Sequence, residues 1–540
     1  MNEGFDLRDQ PWIPVRLTTG GAVRRVGLRE LFKQAHEIGD LEIPVPPAAS
    51  GLLRILVAMA SRIAQVDGQQ LGDADVAEDL DGWFELRQQI LEQGRFDPAM
   101  VDTYLDVQVP AGHLDLFDAR RPFLQDPRLD AECLGAKGEP NPSGVNKLVL
   151  GRPTGENGAV LFGHFTDGDP VPVPAQDAVL HLIAQLYYGP AGQCTPRRIT
   201  KVKPGNGDAG PLRKTVSFHP WAPQLFTTLL LGVPRPLDTD TELTDQCPWE
   251  TQALPDPLRP LPPVTWPGRV LTGRARHAVL LVPSNDFTTV TDAYVTWSTH
   301  EPAPSARDPY VILDMPKAGG EPYARPADGQ RAVWRDVDAL LLSGNTATQR
   351  PSVFDDIAGE VPRSVLNALK VRAYGFHQDG QQKDTSWYEA TTPPVLRWLQ
   401  EAEPAMALHL GRCRQAADDI GDRLHFAARL AWKLTTDTNA DPSAKVKLDA
   451  KKPGPWAAAA ARAYWPMAER IFWDLAVPER CDEPPHRLLA DAALEALDAA
   501  LGAARADLRT ARARSRARAI IHSTVPAQKQ TPAIISGGLS

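Results

Sequence analysis

The chain has 540 residues, a net charge of −9, 43% hydrophobic and 23% charged residues. This length allows two or more domains, the composition is that of a globular rather than a disordered protein, and the acidic balance argues against binding nucleic acid over the whole surface. The five cysteines form no closely spaced pair, and the charged start lacks the apolar core of a signal peptide, so we expect a reduced, cytoplasmic protein without a membrane-spanning segment.

The sequence predicts regular elements on both sides of a proline-rich middle region. Alternating apolar positions around a Gly-Gly pair predict a hairpin, and longer apolar runs predict helices and strands. Residues 110–275 are rich in proline and glycine, so we expect loops with short strands and short helices there. The predicted hairpin, helices and later strands lie, in chain order, at 13–26, from Leu28, at 48–66, 76–94, 277–283 and 292–297.

A second hairpin is predicted in "KVRAYGFHQDGQQKDTSWYEA", residues 370–390. Two runs with apolar and aromatic residues flank a polar tip, and its Asp-Gly dipeptide favours a tight turn. Gln381, Gln382 and Lys383 add amide and ammonium groups to that tip. Amides can hydrogen-bond base edges, although the segment taken alone favours an ordinary polar hairpin end.

The pattern of the chain changes near residue 396, where alanine-rich helical segments begin. Helices with an apolar seam must pack together to be stable. We therefore predict an α+β protein with a large mixed, loop-rich N-terminal domain (1–395), a C-terminal four-helix bundle (396–523) and a flexible tail (524–540). The three predicted seams are Met406, Leu410, Cys413, Ala417, Ile420, Leu424, Ala427, Ala431 and Leu434; Tyr464, Met467, Ile471 and Leu475; and Ala490, Leu494, Leu497, Leu501, Ala504 and Leu508.

The stretch "GPAGQCTPRRITKVKPGNGDAGPLRKT", residues 189–215, is basic within an acidic protein, with six cations and one acid. Glycine lets a backbone approach a ligand closely, and lysine and arginine neutralise phosphates. A solvated surface loop explains the same residue types, so both interpretations stay open. The cations are Arg197, Arg198, Lys201, Lys203, Arg213 and Lys214, and the glycines are Gly189, Gly192, Gly205, Gly207 and Gly210.

A second basic stretch, "ARADLRTARARSRARAI", begins at Ala504. On a helix, four of its arginines form one stripe at spacings of four, three and four. The stretch contains a single acid, Asp507, so its arginines would repel one another. This favours a polyanion partner over an exposed face with stabilising charge near a helix C-terminus. The stripe is Arg505, Arg509, Arg512 and Arg516, with Arg514 and Arg518 in an adjacent row.

We find no motif for catalysis or for metal binding. Residues 205–210 fit a dinucleotide fingerprint formally, but no apolar strand precedes them and Pro211 follows, so the context is wrong. Cys413 lies on an apolar seam, which predicts a buried thiol rather than a nucleophile. We expect no metal and no cofactor. An enzyme whose residues meet only on folding stays open.

Together these features resemble the large subunit of the type I-E CRISPR surveillance complex Cascade, the CasA/Cse family. The opening "FDLRDQPWIPVR" with "GGAVRRVGLRELF" is similar to the family's start, and "LFDARRPFLQDPRL" (116–129) resembles its Phe-x-x-x-x-Pro-Phe-x-Gln segment. The basic loop occupies the place of the family's glycine loop, and the order of a large domain and a helical bundle agrees. The resemblance spans nearly the whole chain.

The resemblance implies a non-catalytic subunit that recognises the protospacer-adjacent motif in double-stranded DNA and starts strand separation for pairing with the guide RNA. It implies as partners the crRNA, the backbone, small and guide-handle-binding subunits, and the helicase-nuclease that the bundle helps to recruit. The alternatives are an enzyme that acts on a phosphorylated substrate through a mobile basic loop, and a scaffold whose bundle binds only protein.

The resemblance also implies roles for particular residues. The family's glycine loop approaches the minor groove, its glutamine wedge enters the duplex, and a further loop (141–164 here) docks on the backbone subunit and the guide's 5′ handle. The matching positions are Gly189, Gly192, Arg197, Arg198, Lys201 and Lys203 for the glycine loop; Gly380, Gln381, Gln382 and Lys383 for the wedge; Asn146, Lys147 and Arg152 for the docking loop; and Arg505, Arg509, Arg512 and Arg516 for a DNA track on the bundle.

One reader of the family has no counterpart here. The family's third DNA-reading element is a lysine, whereas residues 270–316 of this chain contain no lysine. Arg274, Arg276 or Arg307 could substitute, but arginine and lysine are not equivalent donors. The role therefore stays open.

Overall fold

A computed structural model describes most of the chain, in two compact units. The predicted tail, 524–540, lies outside the described residues. The predicted domain limits, 1–395 and 396–523, stay predictions because a compact unit need not fold alone. The described residues are 4–67, 76–154, 163–236, 244–302, 307–316, 319–344, 346–379, 383–437, 446–449, 452–502, 504 and 507–523. The units are Met1–Val333 with Ser343–Arg397, and Trp334–Leu342 with Trp398–Ser540.

The helices are α1 (Leu28–Lys33), α2 (Pro46–Ile63), α3 (Val76–Gln93), α4 (Pro98–Thr103), α5 (Leu129–Glu132), α6 (Val145–Leu148), α7 (Ala175–Tyr188), α8 (Leu225–Gly232), α9 (Gly268–Thr272), α10 (Val337–Leu341), α11 (Ser352–Asp355), α12 (Arg363–Leu366), α13 (Pro404–Thr436), α14 (Pro455–Leu475), α15 (His486–Leu501) and α16 (Leu508–His522). The strands are β1 (Ile13–Leu17), β2 (Arg24–Val26), β3 (Ile38–Leu41), β4 (Val173–Pro174), β5 (Gly192–Gln193), β6 (Asn206–Gly207), β7 (Val216–Trp221), β8 (His277–Pro283), β9 (Thr289–Trp297), β10 (Leu313–Asp314), β11 (Tyr323–Ala324), β12 (Thr348–Gln349), β13 (Lys370–Asp379) and β14 (Lys383–Thr391).

The strands of the first unit form small separate sheets, all antiparallel. Within the described ranges, the orders are β2-β1-β3, β4-β9-β8, β14-β13-β7, β11-β10-β12 and the pair β5-β6. Sheets this narrow cannot supply one continuous core. The core of the unit therefore depends on the helices that pack between them.

The centre of the first unit is α2, which is buried along nearly its whole length and packs against α7, α8 and α9. Two prolines in its first turn suit the helix start, where backbone N–H groups have no partner within the helix. The helix also buries two arginines, which pair with carboxylates: Arg54 with Asp308 at 2.8 Å and Arg62 with Asp245 at 2.8 Å. Pairing offsets the large cost of burying a charge.

Most of the elements predicted from periodicity are confirmed. The N-terminal hairpin pairs Ile13 with Val26, and β3 adds a strand on the other edge of β1 that the sequence did not predict. Helices α2 and α3 end within three residues of their predicted limits, and β8 has its predicted limits. Strand β9 begins earlier than predicted, at Thr289, because its first residues pair with β4.

Helix α7 is the main element that the sequence analysis missed. It lies within the region expected to hold only short elements. Eleven of its fourteen residues are buried, and a helix that is apolar on nearly all sides lacks the periodicity that identifies amphipathic helices. The local signals are Pro174 before its first residue and Gly189 after its last.

The second unit contains the predicted bundle, and the predicted fold class is confirmed. Helix α13 packs against α14, α15 and α16, and all nine residues of its predicted seam are buried. In α14, Tyr464 and Leu475 are buried, whereas Met467 and Ile471 are partly exposed. The 3.5-residue spacing therefore located the packed face of the longest helix.

The third predicted seam is wrong at its end. The sequence predicted one helix through Ala504 and Leu508, but α15 ends at Leu501 and α16 begins at Leu508, whose side chain is 67% exposed. The Asp507 carboxylate accepts a hydrogen bond from the Thr510 N–H at 2.7 Å. Such a cap satisfies a free donor at a helix start and favours a new helix here.

Candidate functional site

The basic loop begins where α7 ends. The Gly189 N–H donates to the Gln185 carbonyl at 2.9 Å, and the Gly189 carbonyl accepts from the Gly210 N–H at 2.9 Å. Gly189 is buried, and a Cβ there would lie 2.5 Å from the Gln185 oxygen and 2.7 Å from His277 Cε1. Gly189 therefore lets the loop pack against β8, and its predicted contact with DNA stays a prediction. Gly192 is exposed, with φ +113° and open space around it.

Arg197, one of the residues predicted to bind DNA, is buried and anchors the loop. Its side chain has no exposed surface and pairs with Asp126 at 2.8 Å and Glu132 at 2.5 Å. Its guanidinium carbon lies 5.6 Å from the centroid of the Trp297 ring. Burial opposes ionisation of Asp126, but a hydrogen bond from Arg128 and the charge of Arg197 hold the pKa of Asp126 below its usual value. Arg197 therefore fixes the loop through buried ion pairs, and its predicted contact with DNA stays a prediction.

Two residues of β8 and β9 that the sequence analysis did not identify support the loop. His277 and Trp297 are paired across these strands. His277 Nε2–H donates to the Pro190 carbonyl at 3.1 Å, and Trp297 Nε1–H donates to the Pro204 carbonyl at 2.9 Å. Burial lowers the pKa of His277 to about 4, so the ring is neutral near pH 7. Neither residue belongs to a motif, and both lie far from the loop in sequence.

Beyond the β5–β6 ladder, three of the predicted loop cations reach solvent. Arg198, Lys201 and Lys203 are exposed. The Arg198 Nε–H donates to the Leu134 carbonyl, and neither lysine has an ion pair within the described part of the chain. Lys203 has φ +44°, which is uncommon for a residue with a side chain. The loop thus holds a cluster of accessible positive charge on a buried anchor.

The arginines considered as replacements for the family's lysine reader differ in accessibility. Arg274 pairs with the buried Asp308 at 2.5 Å, and Arg276 pairs with Asp208 of the loop at 2.5 Å. Both arginines are largely buried. Arg307 is exposed and donates to a backbone carbonyl at 3.2 Å. Of the three, Arg307 keeps the most surface free for a ligand.

The predicted second hairpin is confirmed. Strands β13 and β14 pair out to Asp379 opposite Lys383, and β7 pairs with the other edge of β13. Gly380, Gln381 and Gln382 lie outside the described residues. The role of these residues and of Lys383 as a wedge stays a prediction.

Arg213 joins the basic loop to the hairpin. Its guanidinium donates to the Tyr188 carbonyl at the end of α7 and to the Asp384 carboxylate of β14. It also lies over the Phe376 ring of β13, 4.7 Å from the centroid. The sequence analysis counted Arg213 only as part of the loop's charge. The structure places it between the two elements.

The predicted docking loop is built around buried polar contacts. Asn146 is 1% exposed, and its Nδ2 donates to Asp167 Oδ1 at 2.9 Å, so its amide shapes the loop. Arg152 lies 4.1 Å from the Phe165 ring centroid, and burial lowers its pKa. Lys147 is partly exposed. Of these three residues, Lys147 and Arg152 keep surface available to a partner.

Hydrogen bonds connect this docking loop to the basic loop and to α7. The Ser143 and Thr195 hydroxyls lie 2.6 Å apart, and Gln185 Nε2 donates to the Lys147 carbonyl at 2.8 Å. Residues 155–162 lie outside the described residues. The basic loop is therefore hydrogen-bonded to both the docking loop and the second hairpin, and α7 is hydrogen-bonded to the docking loop.

On the bundle, the predicted arginine stripe is only partly available. Arg505 lies outside the described residues. Arg509 donates to the Leu434 carbonyl in the last turn of α13 and to the carbonyl of Asp437, which follows the helix; such contacts satisfy acceptors that a helix end leaves free. Arg512 is exposed and Arg516 is partly exposed. Arg509 thus caps the end of α13, and its place in a DNA track stays a prediction.

The expected repulsion within this stretch is also reduced. Asp498 of α15 pairs with Arg518, and it lies 3.8 Å from Arg514. An acid outside the stretch therefore compensates the adjacent row. The presence of a single acid in the local sequence was therefore not a reliable guide to the charge around the helix.

Within the described ranges, no three His, Cys, Asp or Glu side chains are grouped to hold a metal ion, and no helix there is long and apolar enough to cross a membrane. Cys413 is buried as predicted, and burial raises the pKa of its thiol to about 12. A thiol with so high a pKa is a poor nucleophile.

The mixed unit and helical bundle are the architecture of solved CRISPR-associated proteins. A chain of a CRISPR RNA-guided surveillance complex matches with a TM-score of 0.83 and 37% identity, over 96% of this chain and 99% of that chain. The structure of Thermus thermophilus CasA (Cse1) matches with a TM-score of 0.72 and 23% identity, over 97% of this chain and 99% of that chain, which shows the fold alone.

Sequence comparison identifies the family. The CRISPR-associated protein CasA/Cse1 of Thermus thermophilus is 27% identical over 435 residues, which cover 79% of this chain and 78% of that protein. The family described as CRISPR-associated protein Cse1 matches residues 6–508. The chain belongs to this family, and the family predicted from the sequence is confirmed.

Proposed function

We propose that this chain is the large, non-catalytic subunit of an RNA-guided CRISPR surveillance complex. There it binds double-stranded DNA, recognises a short protospacer-adjacent motif and starts the strand separation that lets the guide RNA pair with its target. Its partners are the crRNA, the backbone, small and guide-handle-binding subunits, and a helicase-nuclease. Membership of the Cse1 family and the likeness to a chain of an RNA-guided surveillance complex support this assignment.

The observation that carries the proposal is that the basic loop contains one buried, ion-paired arginine beside three exposed cations. Arg197 is held by two carboxylates in the interior, while the neighbouring Arg198, Lys201 and Lys203 face solvent. A loop whose charge served only solubility would not need a buried ion-pair anchor. Fixing the cations in advance reduces the ordering cost when they bind a phosphate backbone.

The hairpin supplies the second half of the proposal. In the sequence, Gln381 and Gln382 lie between Asp379 and Lys383, the last residue pair of the β13–β14 ladder. Insertion of a protein wedge between base steps costs a few kcal/mol of unstacking and so needs a supported element. The β13–β14 ladder with β7 at its base is such a support.

Strand opening by the assembled complex tests the proposal. A duplex that carries the motif and 2-aminopurine beside it reports opening by fluorescence. The double variant Gln381→Ala/Gln382→Ala should bind this duplex but open it more slowly than wild type. Equal opening rates would contradict the wedge. Turnover of a phosphorylated substrate by the isolated chain would favour the enzyme alternative instead.

A further inference from the structure

The far end of the second hairpin extends beyond the sheet that supports it. Strand β7 pairs with β13 only as far as Gly375, which lies opposite Val216. The β13–β14 ladder continues past this point to Asp379 and Lys383. We call the residues 376–379 and 383–387 the distal ribbon. A two-stranded ribbon is marginally stable by itself, so side-chain attachments decide its direction.

Arg213 provides such an attachment at the base of the distal ribbon. Its side chain is only 4% exposed. One arm of the guanidinium donates to the Tyr188 carbonyl, another donates to Asp384 Oδ1, and the plane lies over Phe376. Gln378 Nε2 donates to the same Asp384 oxygen at 2.6 Å. Arg213 therefore meets both strands of the ribbon and the end of α7 at once.

The chemistry at this point requires an arginine. A planar guanidinium can donate in two directions while its face stacks on an aromatic ring, whereas a lysine ammonium is a point charge. Burial lowers the pKa of Arg213, and the Asp384 charge partly offsets this effect. Arginine remains a cation in proteins. Loss of the carboxylate charge would leave a largely buried cation that keeps the Tyr188 carbonyl and the Phe376 ring as neutral partners.

Arg213 also belongs to the segment that closes the basic loop. The Arg213 N–H donates to the Gly210 carbonyl at 3.1 Å, and the Gly210 N–H donates to the Gly189 carbonyl at 2.9 Å. The first and last parts of the loop are thus hydrogen-bonded to each other beside the guanidinium. On the other side of the ribbon, Gly329 lies against Ser386. The distal ribbon thus contacts Arg213 of the basic loop and also the segment around Gly329.

We propose that Arg213 is a positioning residue that fixes the distal ribbon relative to the basic loop and so couples duplex binding at the loop to strand opening at the hairpin. This inference rests on the proposed function. A wedge can unstack bases only if its support resists the reaction force. A ribbon free to tilt would yield, and the free energy of binding at the loop would not reach the base step.

Two variants of the assembled complex separate positioning from charge. Asp384→Asn replaces the carboxylate that pairs with Arg213 by a neutral amide, and Asp379→Asn does the same to an exposed carboxylate of the same ribbon, so both change the net charge equally. We expect Asp384→Asn to keep the affinity for the motif duplex within about twofold but to slow opening about tenfold, the scale of losing one charge-assisted hydrogen bond. Asp379→Asn should open at the wild-type rate. A duplex with a pre-opened bubble should restore Asp384→Asn.

Hydrogen exchange of the peptide that spans 376–391 supplies a readout independent of the wedge. The Asp384→Asn complex should exchange faster in this peptide than the Asp379→Asn complex. The coupling is overturned if Asp384→Asn opens DNA as fast as its control, or if binding and opening fall by the same factor. If Gln381→Ala/Gln382→Ala slows opening while Asp384→Asn does not, only the role of Arg213 fails. If neither slows opening, the proposed function fails too.

Discussion

Removing the three exposed loop cations tests the DNA-binding surface most directly. The variant Arg198→Ala/Lys201→Ala/Lys203→Ala leaves the Arg197 anchor intact, so its unfolding free energy should change by less than about 1 kcal/mol. Each phosphate contact contributes about 0.9 to the slope of log affinity against log salt, so three contacts contribute about 2.7. Between about 50 and 200 mM salt, wild-type affinity should therefore fall roughly 40-fold more than that of the variant.

Binding of the assembled complex to a motif-bearing duplex, measured by fluorescence anisotropy across that salt range, gives both slopes. The matched control is Arg95→Ala/Arg120→Ala/Arg259→Ala, which removes three exposed cations elsewhere in the same unit. The control should keep the wild-type slope. Equal slopes for the loop variant and wild type would refute the phosphate contacts, and a matching loss in the control would show that only net charge matters.

Three further predictions concern the support of the loop and the pH dependence of stability. Arg197→Leu should lower the unfolding free energy by about 3–5 kcal/mol in urea, because Asp126 and Glu132 lose their buried partner; a loss as small as that of the exposed Arg198→Leu would contradict the anchor. Gly189→Ala should cost about 1–3 kcal/mol, because its Cβ would lie 2.5 Å from a backbone oxygen; wild-type stability on thermal unfolding would contradict this packing. Burial raises the pKa of Asp356 to about 6, so its contribution to stability is present below about pH 4 and is lost as pH rises to about 6, by at most about 3 kcal/mol. In unfolding experiments between pH 4 and 7, Asp356→Asn should lack this decline in stability. A pH profile identical to that of wild type would show that the carboxylate is not perturbed.

Local periodicity was sufficient to predict an element that buries a single face against the rest of the protein. The seam of α13 consists of nine residues spaced along the helix, and all of them are buried, because a long amphipathic helix must cover its apolar face. The limits of β8 were predictable from its apolar run, and the pairing of β13 with β14 from two apolar and aromatic runs on either side of an Asp-Gly turn. Helix α7 was missed because it is buried on most sides and so lacks a polar face.

The sequence also identified the family and the segments that carry charge, because residue types and their order along the chain are enough for both. It could not separate Arg197 from Arg198, two adjacent arginines in one basic run. The tertiary structure decides between them: Asp126 and Glu132, 71 and 65 residues away, enclose the first and leave the second in solvent. Burial and ion pairing depend on partners that only folding brings together, and these partners determine which cations hold the loop and which remain free to bind.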